Sequence, residues 1–180
     1  MSEIMLVNEN DEPIGVADKQ EAHEKGLLHR AFSIFIYRKG LEGLEILLQK
    51  RHTQKYHSGG LWTNTCCSHP LYNETIKEAA EKRLKEEMGI TSDLAEIGVF
   101  HYKAEVGNGL IENEIDHVFA GELLFSKIKH NPEEVEAITW MSTQQLSEEL
   151  KNNPKNYTAW LEKAFEIFIN NLTPLRDPLL

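Results

Sequence analysis

The segment His29-Arg30-Ala31-Phe32-Ser33-Ile34-Phe35-Ile36-Tyr37 constrains this chain more than any other. It has the length of a strand and is apolar at nearly every position rather than at alternate ones. A strand with one wet face alternates, whereas a strand covered on both faces reads as a near-continuous apolar run. The chain therefore needs a sheet with helices on both sides. Ile4 to Asn8 reads as a short strand that turns at Asn10–Pro13 and returns through Ile14–Val16. Lys19 to Lys25 is a short polar helix ended by Gly26, and Leu44 to Arg51 is a strand in hairpin relation to the apolar run. Thr75 to Met88 is a helix with Gly89 as its C-cap. Ala95–Tyr102, Leu110–Phe125 and Glu136–Trp140 read as strands. A helix capped by Ser142 or Thr143 runs to about Leu150, Thr158–Asn170 is a last amphipathic helix, and Thr173–Pro178 is an irregular tail. The expected class is α+β: a mixed sheet flanked by helices on both sides, in a single domain over 1–180 with its core over about 4–171 and a tail over 172–180.

Length and charge bound what such a domain can do. At 180 residues the chain can bury a real core without covalent staples. A formal net charge of -10 argues against a general binder of nucleic acid or anionic membrane, which needs a basic surface. No stretch approaches the roughly 20 apolar residues of a membrane span, and Met1-Ser2-Glu3-Ile4 lacks the basic-then-apolar plan of a secretory leader. The two cysteines, Cys66 and Cys67, are adjacent and poorly placed to bridge each other. A reducing, cytoplasmic setting is expected.

Three features carry chemistry. Cys66-Cys67-Ser68-His69 places two thiols and an imidazole just before a helix; such cysteines are either small core hydrophobes or reactive groups. On the Thr75–Met88 helix, Ile76, Ala80, Leu84 and Met88 define the apolar stripe, yet Arg83 and Glu87 fall within its arc. Charges on a buried face must be paired or metal-bound. Either Arg83 and Glu87 form an internal i,i+4 pair, or Glu87 faces a divalent cation and Arg83 a phosphate or carboxylate. Third, Glu112 and Glu114 share one face of a strand, where their repulsion raises one pKa unless a cation lies between them; solvated edge acids are the alternative. His23, His29 and His69 sit at element junctions. Three neutral imidazoles and two carboxylates make a five-ligand site suited to Zn²⁺ or Mn²⁺ more than to Mg²⁺. His52, His57, His101, His117 and His130 read as surface or core histidines.

The runs Leu28-His29-Arg30-Ala31-Phe32-Ser33, Trp62-Thr63-Asn64-Thr65-Cys66-Cys67-Ser68-His69-Pro70, Glu112-Asn113-Glu114 and Tyr157-Thr158-Ala159-Trp160 resemble, in this order, the type 1 isopentenyl-diphosphate isomerases of the Nudix superfamily. The resemblance spans nearly the whole chain. The Nudix box, Gly-x5-Glu-x7-Arg-Glu-apolar-x-Glu-Glu-x-Gly-apolar, aligns as Ser68, Glu74, Lys82, Arg83, Leu84, Glu86, Glu87, Gly89 and Ile90. Ser68, Lys82 and Arg83 depart from it, which argues against ordinary diphosphate hydrolysis. The resemblance implies Cys67 and Glu114 as the catalytic pair, with Tyr102 relaying to Glu114 and with Glu114 as the favoured proton source against a Cys67 thiolate. It implies His23, His29, His69, Glu112 and Glu114 as ligands of one divalent metal, Mn²⁺ or Zn²⁺, and Glu87 as ligand of a Mg²⁺ that also binds the diphosphate. Lys19, Arg51, Lys55, Ser68 and Arg83 fall around the diphosphate, and Tyr102 and Trp160 around the alkene. Isopentenyl and dimethylallyl diphosphate are the implied ligands, with no flavin, no nucleic acid and no membrane, in a monomer or homodimer. A Nudix hydrolase of nucleoside or prenyl diphosphates is the alternative, and a non-catalytic metal- or diphosphate-binding module a third.

Overall fold

The computed structural model describes residues 3–124 and 127–172; the expected tail, and the Phe125 end of one expected strand, lie outside them. In chain order the elements are β1 (Glu3–Val7), β2 (Pro13–Asp18), α1 (Lys19–Lys25), β3 (His29–Gly40), β4 (Gly43–Arg51), β5 (Trp62–Thr63), β6 (Cys66–Ser68), α2 (Ile76–Met88), β7 (Ala95–Glu105), β8 (Ile111–Glu122), β9 (Val135–Ser142), α3 (Thr143–Asn152) and α4 (Leu161–Asn171). A 3-10 turn at Pro154–Asn156 joins the last two helices.

The apolar run organises the sheet. β3 runs parallel to β8 from His29↔Glu114 to Tyr37↔Glu122. Its other edge is divided: the end near the hairpin turn pairs with β4, from Tyr37↔Ile46 to Gly40↔Gly43, and the middle pairs with β6. β7 extends the sheet beyond β8, β9 beyond β4, and the β1–β2 hairpin closes one end through Leu6↔His29. Both faces of β3 are buried, as its sequence requires. Phe32, Ile34 and Ile36 face α2 in a core with Ala80, Leu84 and Met88. Phe35 faces the other way, into a core with Leu161, Phe165 and Phe168 of α4 and Leu146 of α3. Burying one such phenylalanine contributes about 1.5–3 kcal/mol.

Local signals set the helix ends. Thr75 and Glu78 form a reciprocal capping box at the start of α2, and Gly89 ends it at φ 66°, where a Cβ would lie 2.6 Å from the Lys129 carbonyl oxygen. α3 begins with a second capping box, Ser142 with Gln145. α4 starts at Leu161, three residues later than the sequence pattern suggests, because Thr158 is held elsewhere: its Oγ1 lies 2.8 Å from Thr63 Oγ1 and its N–H donates to the Trp62 carbonyl. Among the described residues no helix is long and apolar enough to cross a membrane.

Candidate active site

Strand alternation settles the adjacent cysteines. In the β3–β6 pair, Cys66 stands opposite Ile34 and Cys67 opposite Ser33. Successive side chains point to opposite faces. Cys66 therefore enters the α2 core, fully buried beside Leu84 and Met88. Cys67 enters a cavity of about 110 Å³ on the other face, which it lines with Glu112, Glu114 and Trp160. The sequence left thiol chemistry and thiol packing both open; here Cys66 packs in the core and Cys67 lines the cavity.

Two motifs that lie far apart in sequence are joined beneath this cavity. Asn64 donates to the carbonyls of Ile34 (3.2 Å) and Cys66 (2.8 Å), while its Oδ1 accepts from Trp160 Nε1 (3.1 Å) and Thr63 Oγ1 (2.8 Å). Thr65 accepts from the Ile36 amide and donates to the Leu47 carbonyl, which ties β6 to β3 and β4. Trp160 is thus fixed in place by the strand that carries Cys67. Sequence reasoning gave these Thr and Asn residues no role. Their only signal was a run of small polar residues in a stretch that must be buried.

The inner end of the site is built from imidazoles and carboxylates. His23, His29, His69 and Glu114 bring one ligand atom each to within 4.8 Å of one another. They arrive from α1, the first residue of β3, the loop after β6, and β8, so no short-range spacing could reveal the group. His23 Nδ1 lies 2.6 Å from the Lys19 carbonyl and His29 Nδ1 2.7 Å from that of Leu27. A carbonyl only accepts, so each Nδ1 carries the proton and each Nε2 presents a lone pair to the centre. His23 Nε2 has no hydrogen-bond partner among the described residues. His69 Nε2 lies 2.8 Å and His29 Nε2 3.3 Å from Glu114 Oε1. Burial lowers the pKa of His23 to about 4 and of His69 to about 3, which keeps them neutral. Buried imidazoles around a carboxylate, with an unpartnered nitrogen on each of His23 (Nε2), His29 (Nε2) and His69 (Nδ1) among the described residues, fit a divalent metal ion.

Glu112 departs from the expected five-ligand set. Its Oε1 lies 3.0 Å from His57 Nε2 and its Oε2 accepts from the Tyr102 hydroxyl. With His23 and His57 it forms a second, overlapping group of candidate ligands. Two expectations are thereby corrected. The Tyr102 hydroxyl serves Glu112, not Glu114, because the β7–β8 register sets Tyr102 beside Glu114 in the backbone while its long side chain reaches the neighbouring carboxylate on the same face. His57, read as a surface or core histidine, belongs to the site; its loop position concealed it. The paired glutamates separate as two buried like charges must. Burial, then the Glu114 charge, push the Glu112 carboxyl up, whereas the contacts with His29 and His69 outweigh the burial of Glu114 and hold its carboxyl low. Asp116, also buried on this wall, accepts from Ser33 Oγ at 2.7 Å.

Cys67 Sγ lies 3.6 Å from Arg51 Nη1. Burial pushes its thiol up to about 12 despite the Arg51 guanidinium. Arg51 also donates to the His57 carbonyl and lies 5.5 Å from the Trp160 ring centroid.

The outer end is cationic. Lys19, Arg51, Lys55 and Arg83 converge on the cavity mouth with Ser68. Burial first, then Lys55, Arg51 and Arg83, lower the pKa of Lys19. Glu87 is 2% exposed; it accepts from Arg83 and, at 3.0 Å, from Gln49 Nε2. The i,i+4 pair exists, and the same carboxylate lines the cavity. Glu86, on the edge of the helical arc, is exposed and pairs with Arg83 at 2.9 Å.

The NUDIX domain matches residues 27–161. The isopentenyl-diphosphate Delta-isomerase of Aliivibrio fischeri strain MJ11 is 45% identical over 94% of this chain and 96% of its own. The isopentenyl-diphosphate Delta-isomerase 2 of Photorhabdus laumondii is 47% identical over 91% and 90%. In fold, the chain is similar to the crystal structure of DR0079 from Deinococcus radiodurans, with a TM-score of 0.72 over 91% of this chain and 97% of that one at 15% identity. It is also similar to a MutT protein from Methanosarcina mazei, with a TM-score of 0.64 over 81% and 96% at 20% identity. The chain belongs to the NUDIX domain family and, within it, to the isopentenyl-diphosphate Delta-isomerases.

Proposed function

We propose that this protein converts isopentenyl diphosphate to dimethylallyl diphosphate by adding a proton to the terminal alkene carbon and removing one from C2. One observation carries the reading: Cys67, Glu114 and Trp160 line a single small cavity whose mouth gathers four basic side chains. The relatives at 45% and 47% identity bear the name of this activity.

An isolated alkene is a weak base, so its protonation needs an acid that is positioned and shielded from water. Cys67 and Glu114 supply the two proton-handling groups, and the wall holding them is dry and closely tied. The intermediate is a tertiary carbocation at C3. The Trp160 face, already turned toward one cation in Arg51, stabilises a desolvated cation by about 0.5–2 kcal/mol or more. Asn64 and Thr63 lock that ring so that it cannot collapse into the cavity. Tyr102 and His57 orient Glu112. His23, His29, His69 and Glu114 hold a divalent ion, Mn²⁺ or Zn²⁺ by their donor chemistry, with Glu112 within reach; when bound, it fixes the carboxylate geometry and the local charge. At the mouth, Lys19, Arg51, Lys55, Ser68 and Arg83 bind the diphosphate, and Glu87 contributes a carboxylate for Mg²⁺. This gathering of cations lets a chain of net charge -10 hold an anion.

Incubating the protein with isopentenyl diphosphate in D₂O tests the reading. Dimethylallyl diphosphate carrying deuterium in its new methyl group is the expected product. Release of phosphate without isomerisation would instead make the chain a hydrolase.

A further inference from the structure

We infer that Glu134 is a resident competitor at the anion-binding mouth: its carboxylate engages Lys55 and Arg83 in the free protein and yields them when a diphosphate binds. This rests on the diphosphate reading above. Lys55, from the loop after β4, turns to this side chain, and Arg83, from α2 and hydrogen-bonded to Glu86 and Glu87, passes within reach of it. Lys55 Nζ pairs with Glu134 Oε2, and Arg83 Nη2 lies 3.8 Å from Glu134 Oε1.

The turn that carries Glu134 is tied to both partners' elements. Its carbonyl accepts from the His52 amide (3.1 Å), at the start of the Lys55 loop. Its amide donates to Asn131, whose own amide donates to the Glu87 carbonyl near the end of α2 (2.7 Å). The carboxylate is therefore presented at a fixed place and only 31% of the side chain is exposed. It also lines two outer cavities, of about 380 and 590 Å³, both of which Lys55 lines as well.

The charges explain why such a group is useful. Lys19, Arg51, Lys55 and Arg83 repel one another, and without a ligand the set needs an anion. Glu87 is inside the cavity and serves Arg83; Glu134 is the carboxylate that reaches Lys55 as well. Burial opposes its ionisation, but the Lys55 hydrogen bond and charge, with Arg83, hold its carboxyl below the ordinary range. An incoming phosphate offers the same two cations more oxygens and more charge, and takes the place of the carboxylate. An anion that must displace a resident partner binds less tightly by the strength of that contact, which rejects weak anions.

The test is calorimetric binding of inorganic pyrophosphate to wild type, Glu134→Gln, Glu133→Gln and Arg51→Ala, with Mg²⁺ and again in EDTA. Removing a half-exposed pair is expected to tighten pyrophosphate binding by about fivefold in Glu134→Gln, in both buffers. Glu133 is exposed on the same turn, and its neutralisation is expected to change affinity by less than about twofold. Unchanged or weaker binding by Glu134→Gln, while Arg51→Ala weakens it, would overturn the competitor role and leave the diphosphate reading intact. A loss confined to Mg²⁺ buffer would make Glu134 a cation ligand and also overturn the role. No pyrophosphate binding by wild type in either buffer would overturn the diphosphate reading, and the competitor with it.

Discussion

The two ends of the cavity are built on opposite electrostatic plans. At the inner end, His23, His29 and Glu114 are buried, His69 is nearly so, and Arg51 Nη1 lies 3.6 Å from Cys67 Sγ. At the mouth, Lys19, Lys55 and Arg83 stand together, half open to solvent, with Glu87 and Glu134 as their partners. Apart from His23 on α1, the inner end lies on strands and the residue that follows β6, and its side chains are buried. The mouth is assembled from α1, a loop and a helix edge, with long side chains that can change partners. Proton transfer needs atoms held to a fraction of an ångström, whereas anion capture needs charge and tolerates movement. On the reading proposed above, the chemical step belongs to the inner end and affinity to the mouth.

The largest effect should follow from breaking the inner end. Cys67→Ala and Glu114→Gln each remove a proton-handling group and are expected to lower kcat by about 10²–10⁴-fold, read by initial rates of dimethylallyl diphosphate formation, with little change in KM. Wild-type kcat in either variant would detach that residue from the chemistry. Metal removal comes next. A chelator should abolish turnover and lower the Tm, because an ion held by His23, His29, His69 and Glu114 would join α1, β3, β8 and the loop after β6. An ion at a hundredfold excess over its Kd contributes about 2.7 kcal/mol to folding, and re-addition of Mn²⁺ or Zn²⁺ should restore both readings. A Tm insensitive to chelator would show that the imidazole group folds without an ion.

Changes at the mouth should move the other parameter. Lys55→Ala removes a charge-assisted contact and is expected to raise KM about 10- to 100-fold while kcat falls less. If kcat fell and KM held, the division between the two ends would fail. The smallest effect sharpens the comparison at its closest approach. Cys66→Ala, one residue from Cys67 but on the α2 side of the sheet, should keep wild-type kcat and KM and cost about 1 kcal/mol in chemical denaturation.

The sequence displays the fold because the fold follows from local periods. The doubly apolar β3, the capped α2 and the helix carrying His23 are all set by side-chain pattern, Gly26 and Gly89. Charges on the apolar arc of α2 also mark the site correctly, since Glu87 lines the cavity. Less legible are the features fixed by register and reach. Whether Cys66 or Cys67 faces the cavity depends on how β6 pairs with β3, and a slip of one residue would exchange them. That Tyr102 serves Glu112, that His57 joins the group, and that Glu134 holds Lys55 all follow from long side chains meeting across elements far apart in sequence. The Asn64 network has the same origin: Trp160 lies 96 residues beyond its acceptor.

The most direct test of the division of labour is a single-turnover measurement of deuterium incorporation from D₂O, made on wild type, Glu114→Gln and Lys55→Ala at saturating isopentenyl diphosphate. The account predicts a deuterated methyl group from wild type and from Lys55→Ala at comparable rates, and deuteration slowed by about 10²–10⁴-fold in Glu114→Gln. Deuteration at the wild-type rate in Glu114→Gln, or its loss in Lys55→Ala with substrate bound, would contradict it.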